Sequence, residues 1–267
     1  MVLASGLVAG AAGAQPVSPG VTVTVFAAGS LRGPITQAAQ AFEKANPGTR
    51  VALTFGASGL LRDRIAAGES VDVFASANMA HPQSLSATGG AWGPTVPFAR
   101  NALCALARAG LTVTGETLVK ALLDPSIKLG TSTPKADPSG DYAFELFEKV
   151  ERNGAAPAGS AKLLADKALQ LTGGPNSPAP PVGRNVYGML VAQGHADVFL
   201  TYCTNAVLAV AEEPGLQMVD VPPAINVSAE YGLAVRRAAP QPAQAFADDL
   251  RSGGGQLALR QAGFMAP

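Results

Sequence analysis

The sequence predicts an α/β protein of two lobes, in which each lobe is a mainly parallel sheet flanked by helices and a cleft lies between the lobes. Three observations lead to this prediction. Apolar, β-branched runs alternate with helical segments from residue 21 onward, as in βαβ units. A second series of such units begins near residue 101. The last strand and the two helices after it are too few to fold alone, so they should return to the first series.

The first part of the chain alternates strands with helices. Strands are predicted at 21–28, 50–55 and 71–76, each a short apolar run with β-branched residues. Helices are predicted at 31–45 and 60–67, where apolar residues recur at helical spacing. Because a helix connects each strand to the next, these strands should lie parallel in one sheet.

Two glycine–serine turns join the first two strands to the helices that follow them. Ser30 lies in FAAGSL and Ser58 lies in FGASGL. Open α/β sheets bind ligands at the carboxyl ends of their strands, and the free N–H groups of a helix start attract anions. Ser30 alone is better explained as an N-cap residue. The pair, in sequential units, favours an anion site.

The two lobes are assigned by the order of the elements along the chain. The first lobe comprises residues 21–100 together with 230–267, and the second comprises residues 101–229. The chain crosses between the lobes near 99–101 and near 229–231, and a hinge is predicted there. The remaining elements are a short helix that opens at His81, strands at 101–107, 128–131, 196–202 and 231–236 and helices at 117–123, 141–153, 185–193, 242–252 and 254–264.

Composition and charge exclude several classes of function. The chain is 48% hydrophobic and 14% charged, enough to bury a substantial core. Its 19 basic and 19 acidic residues cancel and no long basic run occurs, which argues against a nucleic-acid partner. The two cysteines form no C-x-x-C motif or cysteine–histidine cluster, and His81 and His195 lie far apart in sequence, so no metal site is expected.

The amino-terminal residues indicate export. Residues 1–20 are rich in small apolar side chains and contain Ala-Gly-Ala at 12–14, which is typical of a signal-peptide cleavage site; a disordered tail is the alternative. An exported protein meets an oxidising compartment, where Cys104 and Cys203 would form one disulfide bond. Buried free thiols are the alternative, because free cysteine is often buried as well.

Several stretches together resemble the periplasmic molybdate-binding proteins of ABC importers, which have the type II periplasmic-binding-protein fold. They are VTVFAAGSL, FGASGLLRDRIAAGESVDVFASAN, DPSGDYA, NVYGML, DVFLTYCTNAV and QLALRQAGF. These stretches follow the order of that family and span nearly the whole chain after residue 21. The combination of AAGSL with GASG is the most specific feature.

The resemblance implies a periplasmic, monomeric protein that binds molybdate or tungstate with high affinity, needs no cofactor and delivers the anion to a membrane permease. It implies ligand donors at two serine hydroxyls, at the backbone N–H groups of two helix starts and at one tyrosine hydroxyl. On this sequence these positions are Ser30 and Ser58, the backbone near Ser139, the backbone of Val186, and the hydroxyl of Tyr202. This chain departs from relatives in having a serine at 139, which adds a hydroxyl, and asparagines at 78 and 205.

Two other functions are compatible with the sequence. A site made only of hydrogen-bond donors rejects protonated anions, because their O–H group finds no acceptor. Molybdate and sulfate both lack such a proton, so only the size of the cleft separates them. A carrier of sulfate or another oxyanion is therefore the first alternative. The second is a serine-dependent enzyme with Ser30 or Ser58 as nucleophile. Neither turn has the G-x-S-x-G pattern, and no histidine has an evident route to either serine.

Overall fold

The computed structural model describes residues 20–178 and 183–267. The predicted signal-peptide remnant lies outside the described residues, except for Gly20. The strands are β1 (Val21–Ala28), β2 (Thr49–Gly56), β3 (Val73–Ser76), β4 (Val96–Ala107), β5 (Leu129–Ser132), β6 (Leu169–Thr172), β7 (Val198–Tyr202), β8 (Gln217–Asp220) and β9 (Ser228–Val235). The helices are α1 (Arg32–Ala45), α2 (Ser58–Ala66), α3 (Ala80–Ala87), α4 (Leu118–Leu123), α5 (Pro138–Arg152), α6 (Ser160–Lys167), α7 (Val186–Ala192), α8 (Cys203–Glu212), α9 (Gln241–Ser252) and α10 (Gly254–Gln261).

The strands form one sheet with two parallel blocks and an antiparallel centre. Its order is β2-β1-β3-β9-β4-β7-β5-β6, and β8 pairs with β4. The pairs within β2-β1-β3 and within β7-β5-β6 are parallel, whereas β9 and β4 pair antiparallel with their neighbours. The predicted α/β class, with parallel strands flanked by helices, is confirmed.

The two long strands at the centre link the parallel blocks. The first half of β4 pairs with β9, and its second half, residues 103–107, pairs with β7 and is also joined by β8. The two predicted crossing segments are themselves paired, because Ala99 lies opposite Tyr231 and Asn101 lies opposite Ala229. Any rotation of one parallel block against the other would therefore have to bend this two-stranded ribbon.

The carboxyl-terminal helices pack on α1, next to the first parallel block. Helix α1 buries Ile35 and Phe42 on one face, as its helical spacing predicts. The ring of Phe42 meets Phe246 of α9 edge to face, with centroids 5.2 Å apart, and α10 packs along α1. The last two helices thus pack against a helix from the first part of the chain.

Several elements differ from the sequence prediction. Helix α5 begins at Pro138 rather than at residue 141, because Asp137 caps it and proline fits its first position. The prediction placed no element at α6, β6, α8 or β8. It also placed Cys203 in a strand, but this residue begins α8 directly after β7, with no turn residues to mark the change.

Cys104 of β4 and Cys203 of α8 are joined by a disulfide bond, across 99 residues of sequence. The bond fixes the start of α8 to the centre of the sheet, immediately after Tyr202. No helix among the described residues is both long and apolar enough to cross a membrane.

Candidate anion-binding site

The two glycine–serine turns lie at the same edge of the sheet. Strands β1 and β2 are parallel neighbours, and their last residues, Ala28 and Gly56, are register partners. Ser30 follows the first strand in a short 3₁₀ turn, and Ser58 is the first residue of α2. The sequence prediction of two serines at the carboxyl ends of adjacent parallel strands is confirmed.

Both serine hydroxyls are held by fixed partners. The hydroxyl of Ser58 is buried and accepts a hydrogen bond of 3.1 Å from the N–H of Ala77, the residue after β3. A hydroxyl that accepts such a bond keeps its own hydrogen to donate. The hydroxyl of Ser30 lies 3.0 Å from that of Tyr231 on β9. The hydroxyl of Ser58 is thus oriented as a donor, and both serines are held without help from a charged side chain.

The start of α2 touches the loop that precedes α5. The N–H of Gly59 donates to the carbonyl of Ala136 at 2.8 Å. A Cβ atom at position 59 would lie 2.3 Å from the carbonyl oxygen of Lys135, so only glycine fits here. Lys135 itself has a φ of 69°, which a residue with a side chain seldom adopts. This contact brings Ser58 close to the residues that lead to Ser139.

Ser139 lies in the first turn of α5, where a backbone N–H donor is predicted. Its own N–H donates to Asp137 Oδ1 at 3.0 Å. Its side-chain hydroxyl is fully buried and has no hydrogen-bond partner among the described residues. The hydroxyl that the sequence adds at this position is therefore a buried polar group whose hydrogen-bonding capacity is not used by the described residues.

Tyr202 lies at the end of β7, in a cluster of aromatic side chains. It is 2% exposed, and its hydroxyl has no hydrogen-bond partner among the described residues. Its ring centroid is 6.3 Å from that of Tyr142 and 5.6 Å from that of Tyr231. Burial raises the pKa of all three phenols, so each stays protonated and able to donate.

Val186 begins α7, as predicted, but no contact recorded among the described residues joins it to the serines. Asn185 caps this helix by accepting from the N–H of Gly188 at 3.0 Å, and its amide donates to the carbonyl of Asn205 at 3.0 Å. Asn205 is buried and donates to Thr201, so it supports α7 and β7. The role of the Val186 N–H in ligand binding stays a prediction.

Asp137, Tyr142, Tyr187 and Tyr231 are the residues near the site that the sequence did not single out. Asp137 is the N-cap of α5. Burial raises the pKa of both Tyr187 and Tyr202, and the charge of Asp137 adds to this shift. The Asp-Pro sequence before α5 is a helix-start signal that could have found this carboxylate. Nothing local marks Tyr231, which reaches Ser30 across 201 residues of sequence.

Charged side chains of α1 and α2 have partners away from the serine hydroxyls. Arg32 lies over the ring of Phe55, and Arg64 pairs with Glu69. Arg62 pairs with Asp63. The described residues contain no cluster of three or more histidine, cysteine or acidic side chains that could hold a metal ion.

Comparison with known proteins gives the class of the protein. Residues 23–265 match the family described as bacterial extracellular solute-binding protein, and the chain belongs to that family. It is 40% identical to an uncharacterized protein of Pasteurella multocida over 214 residues, 79% of this chain and 85% of that protein.

The chain is also similar to proteins whose ligands are named. It is 29% identical to the molybdate-binding protein ModA of Mycobacterium tuberculosis, over 95% of this chain and 88% of that protein. The periplasmic molybdate-binding protein of Azotobacter vinelandii superposes with a TM-score of 0.71 at 21% identity, covering 92% of this chain and 99% of that chain. The sulfate-binding protein SubI of M. tuberculosis gives a TM-score of 0.71 at 21% identity, covering 92% and 87%. At 21% identity the likeness to these two structures shows the fold alone. The match in sequence to the mycobacterial ModA protein confirms the predicted resemblance to molybdate-binding proteins.

Proposed function

We propose that this protein binds a tetrahedral oxyanion, molybdate or tungstate, and delivers it to the membrane permease of an ABC importer. The observation that carries the proposal is that the buried hydroxyls of Ser139 and Tyr202, at the start of α5 and the end of β7, have no partner among the described residues, as is also true of Thr131 and Ser132 on β5. Buried polar atoms in native proteins almost always have a partner, so an unpartnered pair points to a ligand. The hydroxyls of Ser30 and Ser58 supply further donors at the ends of β1 and β2.

A shell of neutral donors suits a multiply charged oxyanion. Burying such an ion is costly unless every oxygen is hydrogen-bonded, and bonds to a charged acceptor are stronger than those between neutral groups. The serine and tyrosine hydroxyls donate without a counter-cation, and burial keeps the phenol of Tyr202 protonated by raising its pKa. The ligands named for the mycobacterial and Azotobacter relatives support molybdate as the first candidate.

The proposal includes two lobes, 21–100 with 230–267 and 101–229, that close on the anion. Ser30 and Ser58 belong to the first lobe, whereas Ser139, Val186 and Tyr202 belong to the second. The hydrogen bond between Gly59 and Ala136 then joins the two lobes and is a contact of the closed state. A ligand that bridges both donor sets binds this state best and shifts the population toward it.

The alternatives to a molybdate carrier are a sulfate carrier and a serine-dependent enzyme. The likeness to a sulfate-binding protein favours the sulfate carrier as the second candidate. The enzyme is disfavoured, because the family is described as one of solute-binding proteins. The described hydroxyls of Ser30 and Ser58 meet Tyr231 and Ala77 rather than a histidine, so they lack the base that a serine nucleophile needs.

Thermal melting in the presence of four anions tests this proposal. Molybdate and tungstate should each raise the melting temperature of the purified protein, because only the folded state binds them. Sulfate and phosphate at the same concentration should raise it less. A shift with sulfate and none with millimolar molybdate would replace the first candidate with the second, and no shift with any anion would refute oxyanion binding. Size-exclusion chromatography and fractionation of producing cells test the expected monomer and its periplasmic location.

A further inference from the structure

Asp137 places a carboxylate among the donors of the candidate site. Its Oδ1 accepts the N–H of Ser139 at 3.0 Å, and its side chain lies against the backbone at Gly173, where a Cβ atom would be 2.5 Å from Oδ2. The unpartnered, fully buried hydroxyl of Ser139 is two residues away. A shell that would otherwise only donate therefore contains one strong acceptor.

Among the described residues, none with a positive charge forms an ion pair with Asp137. The charged or titratable neighbours that face it are Asp141 on its own helix, Tyr187 on α7 and Tyr202 on β7. Lys135 in the preceding loop has an exposed side chain, while its backbone N–H donates to Asp141. Burial, helped by the charge of Asp141, destabilises the carboxylate more than the hydrogen bond from the Ser139 N–H stabilises it, and the pKa of Asp137 is raised to about 6.

A bound dianion would add a second, larger repulsion. An ionised Asp137 beside a doubly charged oxyanion gives like charges with little water between them, and neutralising the carboxyl group removes that repulsion. A protonated carboxyl group gains a donor hydrogen, which the oxyanion can accept. Binding the anion and binding a proton at Asp137 therefore favour each other.

We propose that the site binds its oxyanion together with one proton, which is shared between Asp137 and the ligand. This inference rests on the proposed function and narrows the class of ligand. A fully deprotonated anion such as molybdate binds to protonated Asp137. An anion that keeps a proton of its own, such as phosphate, donates that proton to ionised Asp137. Asp137 is thus a residue that determines specificity through the protonation state of the ligand.

The sign of the pH dependence follows from the linkage. Because the bound anion raises the pKa of Asp137 above its value of about 6 in the free protein, proton uptake accompanies binding at higher pH. Molybdate affinity is then highest below pH 6 and falls as the pH rises, by up to about 50-fold between pH 6 and pH 8.

Calorimetry of the wild type and of Asp137→Asn, in buffers of different ionisation enthalpy, tests the inference. Asparagine is an equally good N-cap residue, so α5 should keep its start. The wild type should take up close to one proton per molybdate at pH 7.5, and the variant close to none. At pH 8 the variant should bind molybdate more tightly than the wild type. The ratio of molybdate affinity to phosphate affinity should be at least about tenfold higher in the variant than in the wild type. The reason is that the asparagine amide donates a hydrogen bond where the carboxylate accepted one. Asp248→Asn, at an exposed carboxylate on α9, is the matched control and should behave as the wild type.

Two negative results have different meanings. If molybdate binds the wild type without proton uptake and Asp137→Asn has the same affinity at pH 8, the shared proton is refuted while oxyanion binding stands. If none of molybdate, tungstate, sulfate and phosphate binds the wild type even at pH 6, the proposed function fails and this inference fails with it.

Discussion

Replacing Gly59 with alanine is a sharp perturbation of the proposed closed state. The new Cβ atom would lie 2.3 Å from the carbonyl oxygen of Lys135 and 2.6 Å from that of Ala136, where ordinary contacts are 3.4–4 Å. The neighbouring atoms are backbone, so the loop must retreat by about 1 Å. That movement breaks the hydrogen bond of 2.8 Å from the Gly59 N–H to Ala136.

The size of the effect follows from the lost contact. One hydrogen bond contributes about 0.5–1.5 kcal/mol, so molybdate should bind about twofold to thirteenfold more weakly, and more weakly still if closure is blocked. The free protein should be no less stable, because alanine favours a helix over glycine by about 0.8–1 kcal/mol and an open cleft leaves room for the methyl group.

Calorimetry with molybdate and thermal melting of the free protein are the assays. Gly33→Ala is the matched control, because position 33 is also in a helix near a serine turn and no atom lies within 4 Å of its Cβ position. It should leave affinity unchanged. Wild-type affinity in Gly59→Ala would refute the closed contact. A large loss of stability in the free variant would instead indicate a rigid molecule that holds this contact without ligand.

Three further predictions concern the donors and the disulfide bond. Ser30→Ala and Ser58→Ala should each weaken molybdate binding by about 1.5–3 kcal/mol without unfolding the protein, as measured by calorimetry, and unaltered affinity in both would place the anion elsewhere. Tyr202→Phe should weaken binding while leaving the free protein at least as stable, because the lost hydroxyl has no partner there; a lower melting temperature with full affinity would contradict this. Alkylation of the unreduced protein should leave Cys104 and Cys203 unmodified in a mass spectrum, and reduction should lower stability by about 2–5 kcal/mol; two alkylated thiols would refute the bond.

Local signals in the sequence predicted much of the fold and part of the site. The apolar spacing of α1 and the alternation of strands with helices gave the parallel block that contains β1 and β2, because burial of one face dictates such patterns. Ser30 and Ser58 were found for the same reason, since a strand, a glycine turn and a helix start are all encoded nearby. Helix α8 was missed because it follows β7 without any turn residue.

The remaining features of the site depend on contacts between distant parts of the chain. Tyr231 meets Ser30 only because β9 returns to the sheet beside β3 and β4. The N–H of Ser139 donates to the cap residue Asp137, and this bond depends on the exact start of α5, which the sequence prediction placed three residues later. The sequence motifs indicated hydrogen-bond donors only, and they did not show that the loop before α5 also supplies an acceptor, the carboxylate of Asp137.

A crystal structure of the protein grown with tungstate tests the central claim most directly, because the anomalous scattering of tungsten locates the anion without ambiguity. We expect a single strong peak within hydrogen-bonding reach of the hydroxyls of Ser58, Ser139 and Tyr202, so that the two unpartnered hydroxyls gain their partner. A tungsten peak elsewhere on the chain, or none at a tungstate concentration that saturates the melting shift, would contradict the account.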